Sequence, residues 1–237
     1  MAHKTLITNA RIITEETVSR GEIAIEAETI TAIGRGLPRE GRAIIDAGGK
    51  LVLPGGVDVH THMNLDIGTA VAQDDFYTGT VAAAFGGTTC IVDHPGFGPE
   101  GCPLDHQINR YREYARGMAV VDYGLHGVLQ HVAAGVLEDF PNLVDVGIPS
   151  FKAYRPSGGK LSDYDLLRVM DGIGQAGGLL AVHAEPAGMI RFLQERFIEA
   201  GKPAPIYHAL SRPDICEAEA VERIIQLAAV ADDAPLY

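Results

Sequence analysis

The grammar of the chain changes near residue 54. Before that point KTLITNARIIT, EIAIEAETITAI and AIIDAGGKLVL are rich in Ile, Val and Thr and carry no helical period of useful length. Gly21, Gly34, Gly36, Pro38 and the pair Gly48-Gly49 interrupt them. This pattern predicts short strands joined by turns, so residues 1–54 read as a small all-β unit. After Pro54-Gly55-Gly56, apolar β-type runs alternate with helical stretches. The runs are VDVHTHM (57–63), TTCIVDH (88–94), VVDYGLHGVL (120–129), VGIPSFKAY (146–154) and LLAVHAE (179–185), and they begin roughly 25–35 residues apart. Between them lie segments such as DDFYTGTVAAAFGG and SDYDLLRVMDGIGQAGG. The second opens with Ser162 three residues before Asp165, a capping-box start, and ends in Gly177-Gly178, a C-cap signal.

Strand–helix repetition at this spacing predicts βαβ units and a parallel sheet, an α/β fold. The spacing alone does not separate an open doubly wound sheet from a (β/α)8 barrel. No GxGxxG or P-loop pattern follows any run, which removes the commonest nucleotide-binding signatures of doubly wound folds. Five βα units are visible in residues 55–237, and Ala234-Pro235-Leu236-Tyr237 reads as the opening of a sixth strand. A barrel needs eight, so on that reading the segment holds the first part of an incomplete one.

Composition narrows the classes. The chain has 237 residues, 46% of them hydrophobic and 21% charged, enough to bury a core and unlike a disordered or fibrous chain. Lys+Arg is 19 and Asp+Glu 31, so the net charge is 19 − 31 = −12. With no basic stripe to offset it, nucleic acid and anionic membranes are not expected partners. Cys90, Cys102 and Cys216 are an odd number without a CxxC, which predicts a reducing, cytoplasmic setting. No apolar run follows Lys4, so no signal peptide is read, and no segment reaches the ~18 apolar residues of a membrane span.

Three positions carry candidate chemistry. In His60-Thr61-His62, side chains two apart share a strand face, so Asp58, His60 and His62 point one way. Imidazoles about 6–7 Å apart along a strand can converge on one divalent cation. The plain alternative is a pair of solvent-facing or internally satisfied histidines. The apolar LVLPGG before them predicts a strand buried on both faces, where imidazoles need partners. Lys152 lies in the apolar run GIPSFKAY, where burial lowers the amine pKa. It is either a salt-bridged or snorkelling lysine, or a neutral amine that adds carbon dioxide to become an anionic carbamate ligand. His183 ends LLAVHAE, with Glu185 on the same face as a candidate orienting acid; the alternative for each is a satisfied buried polar group. Strand ends would bring His60, His62, Lys152 and His183 to one mouth of a parallel barrel.

These residues carry a resemblance. PGGVDVHTH is similar to the opening metal motif of the amidohydrolase superfamily. The whole chain resembles the N-terminal half of the hydantoinase/dihydropyrimidinase family. DAGGKLVLPGGVDVHTHM, GGTTCIVDH, VDYGLHG, SFKAY, LLAVHAE and IYHALSRPDICEAEAVERIIQLA occur in the family's order. The resemblance implies a truncated (β/α)8 barrel over 55–237, with 1–54 forming the N-terminal part of a small β-sandwich. It implies two divalent metal ions, usually zinc, with His60 and His62 ligating the first, carboxylated Lys152 bridging, and His183 ligating the second. Family members place a substrate-contacting tyrosine a few residues beyond the lysine; here Tyr154 stands directly after Ala153 and is the candidate. A further metal-binding histidine and the acid/base aspartate have no matching position before Tyr237, so no catalytic residue is assigned within the chain. The implied activity is hydrolysis of a small cyclic amide or ureide of the dihydropyrimidine or hydantoin type, by a homo-oligomer in the full-length family. This chain alone is expected to be inactive. Allantoinase and dihydroorotase are the alternatives within the class; a non-catalytic scaffold and half of a split enzyme are the alternatives outside it. His94 reads as a loop or substrate-edge residue, His126, His131 and His208 as structural, and Cys90 and Cys102 as unactivated thiols.

Overall fold

The computed structural model describes residues 3–133, 135–154 and 161–237. The chain divides into two compact units, residues 1–56 and 57–237.

The first unit is one five-stranded sheet. It contains β1 (Lys4–Ile13), β2 (Val18–Glu26), β3 (Thr29–Gly34), β4 (Ala43–Asp46) and β5 (Leu51–Val52). The order is β3-β2-β1-β4, with β5 also paired to β1. β1 runs antiparallel to β2 and parallel to β4 and β5. Ala10, Ile12 and Ile23 form its small core, with Ile7, Ile25, Ala47 and Val52 packed against it. Along β1 the buried residues Leu6, Thr8, Ala10 and Ile12 alternate with less buried ones, of which Asn9 and Arg11 are exposed, as a half-buried strand requires.

The second unit alternates strands and helices. β6 (Gly56–Thr61) is followed by α1 (Phe76–Gly86), β7 (Thr88–Asp93), α2 (Asp105–Ala115), β8 (Asp122–Leu125) and β9 (Gly127–Leu129). Then come α3 (Phe140–Asp145), β10 (Ser150–Tyr154), α4 (Asp163–Gln175), β11 (Leu179–His183), α5 (Ala187–Glu199), α6 (Ile206–Leu210) and α7 (Asp214–Val230). One three-stranded sheet has the order β6-β7-β8 and another β11-β10-β9. β7 and β8 are parallel, as are β9, β10 and β11. Residues 235–237, expected to open a further strand, pair with β11: Leu236 bridges Leu180 in parallel, and the Tyr237 amide donates to Leu180 O at 2.9 Å.

Local signals explain the helix limits. Asp75 and Ser162 cap α1 and α4 with reciprocal capping boxes to Thr78 and Asp165. α4 ends before Gly177, whose φ of +74° a residue with a Cβ adopts only at a cost. The buried face of α4, Leu166, Val169, Met170 and Ile173, packs into a core that includes Phe140, Phe151 and Leu180. Phe140 and Phe151 meet edge to face at 4.9 Å.

Three sequence expectations differ from the structure. The run 120–129 is not one strand but breaks at His126, where the chain leaves β7 and joins β10. The run 146–154 becomes extended only from Ser150: Gly147 is left-handed at φ +88° and closes the end of α3. β6 was expected to be buried on both faces, yet Val57 is 61% exposed. β6 lies at the edge of its sheet, with β7 as its neighbour.

Candidate metal centre

His60 extends from β6 and His62 follows directly after the strand's end at Thr61, with their ring centroids 5.3 Å apart. Asp58, on the same face of β6 as His60, accepts a hydrogen bond from the His60 amide at 3.0 Å. His60 is exposed and His62 half-buried. The Nδ1 atom of His62 is buried and has no hydrogen-bond partner among the described residues.

Beside them sit two histidines that sequence reasoning set apart from the ligands. His94, at the end of β7, is 2% exposed. Its ring lies 4.5 Å from that of His60 and 5.3 Å from that of His62. His126 stacks beneath it at 4.0 Å, with 12° between the planes. The nearness of His94 to the pair was not legible in IVDHP, because it depends on how β7 lies against β6.

Lys152, in the middle of β10, is 5% exposed and its ammonium makes no ion pair or hydrogen bond among the described residues. Its nearest described polar-to-ring contact is the face of Tyr154, 5.5 Å from Nζ to the centroid. Burial lowers its pKa. Burial is also the first cause of lowered values at His60, His62, His94 and His126, and the Lys152 charge adds to each. His94 is pushed down to about 2. These imidazoles are therefore neutral near pH 7, the form in which histidine accepts a metal.

His183, which ends β11, is exposed on its outer edge, and its Nε2 lies 3.0 Å from Glu185 Oε2. Arg212 holds the other Glu185 oxygen at 3.6 Å. Register on β10 sets Tyr154 against His183, with the rings 6.4 Å apart. The Tyr154 hydroxyl is pushed up to about 12 by burial, so it stays a protonated donor. The residues that the sequence singles out are linked by charge and ring contacts. His60, His62 and Lys152 lie within electrostatic reach of one another and His183 within reach of His60, while the Tyr154 ring stands between Lys152 Nζ, at 5.5 Å, and the His183 ring, at 6.4 Å. Among the described residues no group of three or more His, Cys, Asp or Glu side chains is spaced to hold a metal ion.

One buried acid beside the histidines was not singled out by the sequence. Asp93 is fully buried, and its Oδ1 accepts from Thr61 Oγ1 at 2.7 Å and from the Met63 amide at 2.8 Å. These partners flank His62 on both sides. The signal in the sequence was an acid closing an apolar strand, a position that demands partners.

A cavity of about 790 Å³ opens beside His62 and Tyr154. Its walls include Leu65, Phe97, Tyr111 and Leu129. The loop Pro95–Pro99 forms one side. Gly96 N donates to Tyr111 Oη at 2.9 Å, and Gln107 Nε2 donates to Gly96 O at 2.7 Å. Gln130 accepts from Gly98 N and donates to Pro99 O, both at 2.9 Å. Phe97 in this loop meets Tyr154 edge to face at 5.5 Å.

No family model matches the chain. It is 46% identical over 235 residues to a protein named D-phenylhydantoinase from Escherichia coli, covering 99% of this chain and 51% of that protein. A solved dihydropyrimidinase from Brevibacillus agri aligns with a TM-score of 0.94 at 38% identity, over 99% of this chain and 51% of that one. A solved L-hydantoinase (dihydropyrimidinase) from Arthrobacter aurescens aligns with a TM-score of 0.83 at 28% identity, over 98% of this chain and 51% of its own. No helix among the described residues is long and apolar enough to cross a membrane. Along nearly its whole length the chain is similar to hydantoinases and dihydropyrimidinases, and it spans about half the length of those proteins.

Proposed function

We propose that the chain carries the first part of the active centre of a metal-dependent cyclic amidohydrolase that opens dihydropyrimidine- or hydantoin-type rings. Residues 57–237 are read as the opening βα units of a (β/α)8 barrel, and residues 1–56 as part of a small β-sandwich. The observation that carries this reading is the placement of His60 and His62 within electrostatic reach of a buried Lys152 that has no acid partner among the described residues, in a sequence 46% identical to a D-phenylhydantoinase.

The residues present fit a divalent metal pair. His62 offers a buried nitrogen with no other described partner, and His60 is neutral beside it. Lys152 is an amine that burial drives toward its neutral form. As a neutral amine it adds to carbon dioxide and loses a proton, and the resulting carbamate offers two anionic oxygens. His60 and His62 would hold one cation, the Lys152 carbamate would bridge, and His183 would hold the other. When bound, such cations supply Lewis acidity and bring the pKa of water toward neutrality. Zinc suits this mixture of nitrogen and oxygen donors.

The chain's own residues do the rest that lies within it. Glu185 accepts from His183 and orients its ring. Tyr154 presents a protonated hydroxyl toward a ring carbonyl, and hydrogen bonds of this type gain strength as charge develops on the oxygen. Leu65, Phe97 and Leu129 keep the cavity apolar, and its size suits a small ring. The resemblance gives no counterpart within residues 1–237 for the acid/base aspartate or for a further histidine ligand, so this chain alone is proposed to be inactive.

Completion tests the reading. The 237-residue chain joined to the remaining length of the Escherichia coli relative, loaded with zinc, is expected to open dihydrouracil or hydantoins. The chain alone should not. A metal-loaded chimera with no turnover, or turnover that survives His60→Ala and Lys152→Ala, would overturn the assignment.

A further inference from the structure

His126 is the one residue between β8 and β9, and at this point the chain changes partners. Leu125 pairs with Asp93 on β7, whereas Gly127 pairs with Phe151 on β10. The two three-stranded sheets share no hydrogen-bonded strand pair among the described residues. The His126 ring spans between them. Its Nε2 lies 2.9 Å from the carbonyl oxygen of Val59 on β6, and its Nδ1 lies 2.7 Å from Ser150 Oγ on β10.

A carbonyl only accepts, so Nε2 carries the proton. Nδ1 is then the acceptor in a neutral ring, and the Ser150 hydroxyl donates to it. Both edges of the ring are thus engaged in a single tautomer. The backbone is held as well, since the His126 amide donates to Asp93 O at 2.9 Å. His94 covers one face by stacking, and the residue is 6% exposed. Val59 immediately precedes His60, and Ser150 stands two residues before Lys152.

We propose that His126 is a positioning residue: its neutral ring ties the strand that carries His60 to the strand that carries Lys152 and sets the spacing between them. The tie is a feature of the fold; its role in holding cations rests on the function proposed above. His126 is not itself a ligand, because neither nitrogen is free.

The test uses the full 237-residue chain and two separate readouts. The first needs no metal. Nitrogen NMR of the imidazole rings should show His126 as a single neutral tautomer protonated at Nε2, with a slowly exchanging proton. Ser150→Ala should shift the Nδ1 signal and leave the Nε2 proton in place. A ring that averages between tautomers, or is protonated at Nδ1, overturns the tie. The second readout is zinc affinity by competition with a chromophoric chelator, with the visible spectrum of the cobalt form as a geometric signature. His126→Phe should weaken binding about 10–100-fold and change the cobalt spectrum. His126→Gln should restore most of the affinity, because its amide can donate to Val59 O and accept from Ser150. Ser150→Ala, a smaller change to the fold, should fall between. Unchanged affinity and spectrum in His126→Phe and Ser150→Ala would overturn the positioning role. A wild-type chain that binds no zinc would overturn the metal assignment itself, and the tautomer spectrum would still decide whether the tie exists.

Discussion

Replacing Asp93 with Asn isolates the cost of a buried carboxylate. Asp93 is fully buried, its Oδ1 accepts two hydrogen bonds, and its Oδ2 has no partner among the described residues. Burial raises its pKa from 3.8 to about 6, against the lowering effect of the Met63 and Thr61 hydrogen bonds. Between those two values the folded chain binds more protons than the unfolded one, so stability falls as pH rises through this window. At about 1.4 kcal/mol per pH unit, the ionised group costs the native state roughly 3 kcal/mol at pH 8, and nothing below the unfolded value. Asparagine keeps an oxygen for Thr61 and Met63 and carries no charge. Its NH2 falls where Oδ2 was, and an unpaired buried donor costs about 1–3 kcal/mol at any pH. The two effects nearly cancel at pH 8 and leave the variant less stable at pH 4. The quantity to measure is therefore the swing. The stability difference between Asp93→Asn and wild type should move in favour of the variant by about 2–3 kcal/mol from pH 4 to pH 8. Urea unfolding followed by circular dichroism across that range reads it directly. A difference that is flat with pH would refute the reasoning.

Two further outcomes follow from other sites. Lys152→Met should remove a buried amine that has no acid partner among the described residues. Because a lowered lysine pKa means the folded chain binds fewer protons, metal-free wild-type stability should rise between pH 8 and pH 10, and this rise should shrink in the variant when melting is compared across that range. Gly127→Ala would place a Cβ 2.5 Å from the Phe151 ring, so urea unfolding should report a loss of about 1–3 kcal/mol.

Local patterns were the most legible part of the chain. Ser162 and Asp165 announced a capping box that forms, and Gly177 takes the left-handed conformation its place after α4 implied. These are contacts between near neighbours, governed by short-range sterics and hydrogen bonding. The burial of Lys152 was legible for a similar reason, since the apolar residues on both sides of it leave the strand no wet face. The break at His126 was not, because GLHGVL contains no signal for a change of strand partner. Nor was the exposure of β6, since an apolar run predicts burial without saying whether its strand lies inside a sheet or at its edge. The contact of His94 with His60 and the hydrogen bonds of Asp93 to the residues flanking His62 were not legible, because both are set by β7 lying against β6 and sequence distance hides that contact.

The Pro95–Pro99 segment has a consequence for recognition. Two prolines lack amide protons, both glycine amides already donate to side chains, and three side chains from α2 and from the end of β9 do the fastening. The ordering entropy of this rim thus falls on folding and not on ligand entry. A guest that fits should associate without waiting for a slow rearrangement of this loop, and one that does not fit should be refused by shape.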